Sequence, residues 1–251
     1  MKTLFAVVIF VLGACLGSFL NVVIYRVPQK DSIVSPPSSC PHCHHRLAYS
    51  DLIPIFSFFA LKGKCRYCGS PISLQYPIVE VLVAILSLVL YLLYGISLQF
   101  FSYLVFFCIL VVLSFIDLNT GYVYDIISVP SIFVGLLFSI FNKSIVSSLL
   151  GVVVASAFFG AIILISKLFY KEGGMGEGDL LVAILIASFL GLKLSIVAFV
   201  FSFLFGSVIG IILMFVYKKE GSTAIPFVPY LVLGSLFAVF FGRYILLLYG
   251  V

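Results

Sequence analysis

Long apolar runs alternate with short polar breaks along this chain, and one break is far longer than the rest. The runs cover roughly Leu4–Tyr25, Tyr76–Tyr94, Gln99–Ile116, Ile126–Phe141, Ile145–Ile165, Leu180–Leu192, Leu194–Tyr217 and Tyr230–Tyr249. A helix needs about 20 mostly apolar residues to cross a hydrocarbon core of about 30 Å. The pattern predicts an all-α polytopic membrane protein with about eight transmembrane helices. Leu180–Leu192 is short and set off only by Gly191 and Lys193, so seven is the alternative count. The polar stretch Arg26–Gln75 is the one soluble module. The expected organisation is a first transmembrane helix over 1–25, a loop module over 26–75 and a membrane domain over 76–251.

Composition strengthens the membrane reading. The 251 residues are 63% apolar and 9% charged, against about 25% charged in a soluble domain. So few charges could not cover a soluble surface. The 27 Phe and 14 Tyr suit lipid-facing and interfacial positions. A net charge of +5 without a dense basic cluster argues against nucleic acid and suits loops lying on anionic lipid.

Orientation follows from the basic residues of short loops. With eight spans, one side carries Arg26, Lys30, Arg46, Lys62, Lys64, Arg66, Lys167, Lys171, Lys218 and Lys219. The other carries Lys2, Lys143 and Lys193, with Arg243 near the end of the last span. That excess predicts a cytoplasmic loop module and termini on the outside. Lys2, an apolar run and Leu12-Gly13-Ala14-Cys15 also fit a lipoprotein signal. The run continues to Tyr25, which favours a span.

Four of the six cysteines lie in the loop module, as Cys40-Pro41-His42-Cys43 and Cys65-Arg66-Tyr67-Cys68, with 21 residues between the pairs. Two such pairs can close a tetrahedral thiolate site on zinc. Two disulfides are the alternative, disfavoured in a reducing cytoplasm; a redox pair is another. Four protein ligands leave no open position, so the zinc would be structural, stapling a loop with too little core to fold alone. His42, His44 and His45 could replace a cysteine, but read better as solvated loop residues. Cys15 and Cys108 fall within spans as small apolar residues.

The nine acidic residues can be placed one by one. Asp31 and Asp51 sit in the loop module, and Glu172 and Glu220 lie beside lysines. Asp117 ends the third span, Asp125 opens the fourth, and Asp179 closes Gly173-Gly174-Met175-Gly176-Glu177-Gly178-Asp179 directly before another span. All three fall at the cytoplasmic ends of spans, where buried charge is costly and usually functional. Two aspartates from different spans can share one proton. One then activates water as general base, and the other polarises a carbonyl. The glycines before Asp179 allow close backbone approach to an extended peptide. Helix capping is the competing account; it suits Asp125 and passably Asp179. Asp117 sits at a helix C-terminus, which the dipole disfavours for a carboxylate.

Six segments in order carry a resemblance. Gly17-Ser18-Phe19-Leu20-Asn21-Val22-Val23-Ile24-Tyr25-Arg26-Val27-Pro28, the two Cys-x-x-Cys pairs, Gln75-Tyr76-Pro77-Ile78-Val79-Glu80, Ile116-Asp117, Gly176-Glu177-Gly178-Asp179 and Ile225-Pro226-Phe227-Val228-Pro229-Tyr230 resemble the signatures of the type IV prepilin leader peptidases and N-methyltransferases. The resemblance implies that Asp117 and Asp179 are catalytic. It implies cleavage of prepilins or pseudopilins after a glycine at the cytoplasmic face of the bacterial inner membrane. Methylation of the new N-terminal residue from S-adenosylmethionine would follow. Glu80 is a candidate for the methyl-donor region, with a helix N-terminal carboxylate as the alternative. The chain departs from the family pattern at Tyr124, Leu181 and Val228, where Pro, Lys and Gly are usual. Tyr124-Asp125 with Gly-x-Gly-Asp is also similar to presenilin-like intramembrane proteases, under which Asp125 would be the first catalytic residue. A transporter or ion channel using intramembrane carboxylates is the alternative of another class.

Overall fold

A computed structural model describes residues 2–169, 175–217, 226–248 and 250. Several residues weighed above lie outside the described set: Lys171, Glu172, Gly173, Gly174, Lys218, Lys219, Glu220, Ile225 and Tyr249. The described elements are α1 (Lys2–Arg26), a 3-10 turn (Tyr49–Leu52), α2 (Phe56–Ala60), α3 (Gln75–Tyr94), α4 (Leu98–Thr120), α5 (Asp125–Phe141), α6 (Ile145–Phe169), α7 (Glu177–Tyr217) and α8 (Val228–Leu248). The protein is all-helical; among the described residues extended pairing is limited to the isolated bridges Ser39–Arg46 and Lys64–Pro71. Six helices (α1, α3, α4, α6, α7 and α8) are long and apolar enough to cross a membrane. α5 is apolar but has 17 residues. The chain divides into two compact units, Met1–Val112 and Leu113–Val251.

In the first unit α1 and α3 pack antiparallel. Gly13 faces Ala84 and Ser87, Gly17 faces the backbone of Val79 and Glu80, and the Asn21 side chain donates to the Tyr76 carbonyl at 3.1 Å. A Cβ on Gly17 would stand 2.7 Å from the Glu80 Cα, so small residues four apart set this close crossing. Pro77 falls in the first turn of α3, where a missing N–H costs nothing. The helix stops at Gly95, whose φ of 61° allows the chain to turn. The Tyr94 and Tyr103 rings, 5.2 Å apart, join the end of α3 to α4.

The second unit contains a reversal inside α7. The end of α6 lies beside the start of α7, because Lys167 Nζ is 2.8 Å from Glu177. The start of α5 is there too, since Gly178 packs on Val123. α6 therefore brings the chain back to the end from which α5 departed. The first arm of α7 runs parallel to α5, with Gly135 against Ser188 and Phe189 and the Phe138 and Phe189 rings 6.1 Å apart. The second arm runs parallel to α6, with Ser147 and Gly151 at Gly191–Leu192 and Phe159 against Phe199 and Phe203. The two arms thus run in opposite directions. The turn is Gly191, at φ 71° and ψ 179°, a conformation open essentially to glycine alone. The expected break between the runs Leu180–Leu192 and Leu194–Tyr217 falls at this residue. α8 then packs antiparallel to the second arm, with Tyr230 near Gly206, Gly234 on Ser202 and Gly242 on Leu194.

Candidate functional site

Each Cys-x-x-Cys pair forms a tight knuckle. In the first, the His44 amide donates to the Cys40 carbonyl at 2.9 Å and the Cys40 amide to the His45 carbonyl at 3.0 Å. In the second, the Gly69 amide donates to the Cys65 carbonyl at 2.9 Å and the Cys65 amide to the Ser70 carbonyl at 2.8 Å. His44 and Gly69 occupy matching left-handed positions, φ 55° and 71°. The knuckles bring Cys40, Cys43, Cys65 and Cys68 together with all four sulfurs within 4.8 Å of one another. No pair is a disulfide. Four convergent thiols of this kind can hold a metal ion. None of the three histidines joins the cluster; His45 instead packs against Tyr67, the ring planes tilted by 34° and their centres 3.7 Å apart.

The thiols are electrostatically unequal. Burial pushes the Cys40 thiol up, but the amides of Cys43 and His42 and the side chains of Cys65 and Ser70 together hold it down at about 6. The His45 amide pulls Cys43 down, yet burial and the neighbouring Cys40, Cys68 and Cys65 sulfurs outweigh it and push that thiol up to about 11. The Ser70 hydroxyl and amide lower Cys68. Asp51, which belongs to no sequence motif, ties the module together. Its carboxylate takes Arg66 at 2.7 Å and the Ala48 amide at 3.3 Å.

The second unit gathers its acidic residues at one end. Asp117, near the end of α4, is buried, and its Oδ2 accepts the Val228 amide at 3.2 Å. Asp179, in the first turn of α7, accepts the Gly176 amide at 3.2 Å and returns its own amide to the Gly176 carbonyl. The two carboxyls come from separate helices at the same end of the unit, where Gly178, next to Asp179, packs on Val123 just past the end of α4. The ends of α4, α7 and α8 meet here, with the irregular dipeptide Pro226-Phe227 leading into α8. Asp125 shares this end but is exposed on the first turn of α5. Gly178 allows the contact with Val123 that seats Asp179. Phe203, Gly206, Ser207, Phe227 and Tyr230 line a hollow beside Val228. Lys143 and Lys193 sit at the opposite end, by the α5–α6 connection and the Gly191 turn. Sequence reasoning flagged Val228 only as a departure; a main-chain donor leaves no mark in residue identity.

Glu80, in the first unit, is buried within the second turn of α3. Its Oε2 accepts the Ile55 amide at 2.6 Å, and its side chain also meets Ser18.

Comparison with known proteins adds a lineage to this geometry. The model of the bacterial peptidase A24 N-terminal domain matches residues 11–94, and that of the type IV leader peptidase family matches residues 104–211. Proteins named prepilin leader peptidase/N-methyltransferase are similar over most of the chain. The one from Bacillus subtilis is 33% identical over 245 residues, covering 96% of each chain. The one from Xanthomonas campestris is 33% identical over 257 residues, covering 92% of this chain and 90% of its own. The one from Myxococcus xanthus is 36% identical over 220 residues, covering 87% of this chain and 66% of its own. No solved structure matches the chain. With its apolar helices and two matching halves, the chain is a multi-pass membrane protein that belongs to the type IV leader peptidase family.

Proposed function

We propose that this protein cleaves the leader from type IV prepilins or pseudopilins after a glycine at the cytoplasmic membrane face, with Asp117 and Asp179 as the catalytic pair. The observation that carries the reading is the placement of the pair: two carboxyls from separate helices at one end of one unit, Asp117 held by the Val228 amide and Asp179 beside Gly178, which packs on Val123 just past the end of α4. Two such groups cannot both ionise cheaply, so one holds a proton. The ionised member takes a proton from water as it attacks the scissile carbonyl. The protonated member donates to the carbonyl oxygen, and the proton then passes to the leaving amine. The Val228 and Gly176 amides fix the carboxyl oxygens. Their hold leaves the free oxygen of each group for water and peptide. The aromatic hollow beside Val228 suits a bulky apolar side chain of the substrate.

The cluster of Cys40, Cys43, Cys65 and Cys68 suits zinc. Thiolates at about 2.3 Å from zinc in a tetrahedron stand about 3.8 Å apart, and the Cys40 and Cys68 sulfurs are 3.8 Å apart. Bound there, the ion would be structural, holding two knuckles that share little core. The second activity, N-methylation of the new N-terminal residue, rests on the names of the relatives. S-adenosylmethionine would supply the methyl group. Glu80 beside the loop module remains the candidate carboxylate for that region, although the Ile55 amide already occupies one of its oxygens. The excess of basic residues on the loop-module side supports a cytoplasmic orientation.

The test is cleavage of a prepilin in liposomes by wild type and by Asp117→Ala, Asp125→Ala and Asp179→Ala. Loss in the first and third alone supports the pair. Loss in Asp125→Ala with normal cutting by Asp117→Ala transfers the role to Asp125. A wild type that cuts no prepilin overturns the reading.

A further inference from the structure

The hydrogen bond from the Ile55 amide to Glu80 fixes the depth of the loop module against α3. Glu80 lies five residues past Gln75, about 7 Å down the helix at about 1.5 Å per residue. On the antiparallel partner, Gly17 is level with Glu80 and nine residues short of Arg26, about 13 Å from that end. α3 has 20 residues, about 30 Å of helix and the full thickness of a hydrocarbon core. Ile55 therefore lies level with the first turns of α3 and alongside α1, not beyond the ends of these two apolar helices. The chain around it dips and returns: a 3-10 turn at Tyr49–Leu52, Ile55 at φ 64°, α2, then Lys62 and Gly63 at φ 51° and 67°.

The side chains on this dip suit that depth. Phe56 and Phe59, three apart on one face of α2, are 66% and 68% exposed, and Ile53 and Leu52 beside them are also exposed. Lys62 and Lys64 follow as the chain climbs out; both are exposed, and neither makes an ion pair among the described residues. Phe, Leu and Ile facing lipid with lysines on the polar side is the pattern of a segment lying in the interface of an anionic bilayer. Non-helical backbone at that depth must be satisfied by protein, and Glu80 supplies the acceptor for Ile55.

We infer that residues 49–61 are a re-entrant interfacial anchor, in which Phe56 and Phe59 insert into the lipid of one leaflet while Glu80 tethers the segment to α3. The anchor holds the cysteine cluster against the membrane surface, independently of the catalytic reading.

The chain contains no tryptophan, so Phe59→Trp and Phe56→Trp each install a single reporter in the full-length protein. Each variant is reconstituted in bilayers of phosphatidylcholine and phosphatidylglycerol whose acyl chains carry bromine either near the headgroup or near the chain ends. The expected result is loss of most emission with bromine near the headgroup, less with deep bromine, and little quenching by aqueous acrylamide. Quenching by acrylamide without bromine quenching overturns the inference, and so does resistance to both, which would mean the aromatics are covered by protein. In the Phe59→Trp background, Glu80→Gln keeps an acceptor and should keep the lipid signature. Glu80→Ala should shift the reporter toward acrylamide; an unchanged signature there removes the tether.

Discussion

Gly178 is the position at which one methyl group should disable the carboxyl pair. A Cβ built there stands 2.6 Å from the Val123 Cβ and 2.8 Å from its Cγ2. Ordinary carbon contacts are about 3.5–4.0 Å, so Gly178→Ala must open this contact by about 1 Å. Val123 cannot yield by changing rotamer, because its Cβ is fixed to the backbone. The strain then falls on the first turn of α7, one residue from Asp179. Overpacking of this size costs about 1–3 kcal/mol of stability. A 1 Å misplacement of a reacting group can cost about 10²-fold in rate, or about 2.7 kcal/mol of barrier. The assay is kcat/KM for prepilin cleavage in liposomes. Gly178→Ala should lose about 10²-fold while remaining folded by circular dichroism. Val123→Ala should rescue little, because its Cβ remains. Val123→Gly removes both clashing atoms and should restore most of the loss, giving a large coupling energy in the double-mutant cycle. Full activity in a folded Gly178→Ala would refute the reasoning, as would an undiminished defect in the Val123→Gly pair.

Four further expectations rest on the same geometry. Asp117→Asn keeps an acceptor for the Val228 amide but cannot serve as base, so cleavage should fall by about 10²–10⁴-fold with the fold intact; exposed Asp125→Asn should stay within a few-fold of wild type in the same assay. Metal affinity of the cysteine cluster should weaken as pH falls through about 6, where the Cys40 thiolate is protonated and a proton competes with the ion. Cys43, held up at about 11, must give up its proton to ligate, so calorimetry in buffers of different ionisation enthalpy should detect protons released as zinc enters the apo-protein near neutral pH. Gly191→Ala puts a Cβ 2.7 Å from the Ser147 hydroxyl at a positive φ and should destabilise the second unit by about 1–3 kcal/mol, read as a lower Tm in detergent.

The parts of the fold legible in the residues are those in which side-chain chemistry repeats. Apolar runs reported the helices because a membrane leaves few other solutions for the backbone. The paired Cys-x-x-Cys segments reported the thiol cluster because a knuckle is a local turn, closed by residues next to the ligands themselves. Run boundaries placed Asp117 and Asp179 at helix ends. What the residues could not reveal is carried by main chain and by contact. The amides of Val228, Gly176 and Ile55 hold the carboxylates of Asp117, Asp179 and Glu80, and any residue but proline could offer them. The Gly191 reversal was visible only as a weak break between two apolar runs. Its meaning depends on α5 and α6 lying beside the two arms, and no periodicity within α7 records its neighbours. Asp51 illustrates the same limit: a loop acid without pattern turns out to join the second knuckle to the 3-10 turn.

The arm of α7 before Gly191 is short in a way that concerns the lipid around it. Glu177 to Leu190 is 14 residues, about 21 Å of helix, and its parallel neighbour α5 has 17 residues, about 26 Å. A hydrocarbon core is about 30 Å thick. With the Gly191 turn at one surface, the other end of this pair stops short of the opposite one. Hydrophobic mismatch of this sign is relieved by thinning the bilayer, at a modest cost for each ångström. Thinning of this kind would bring water and headgroups toward Asp179, so the proposed hydrolytic pair could stay wet without a channel. On that reading turnover should depend on acyl-chain length, rising in thin bilayers and falling in thick ones, and the membrane itself would be part of the proposed site's solvent supply.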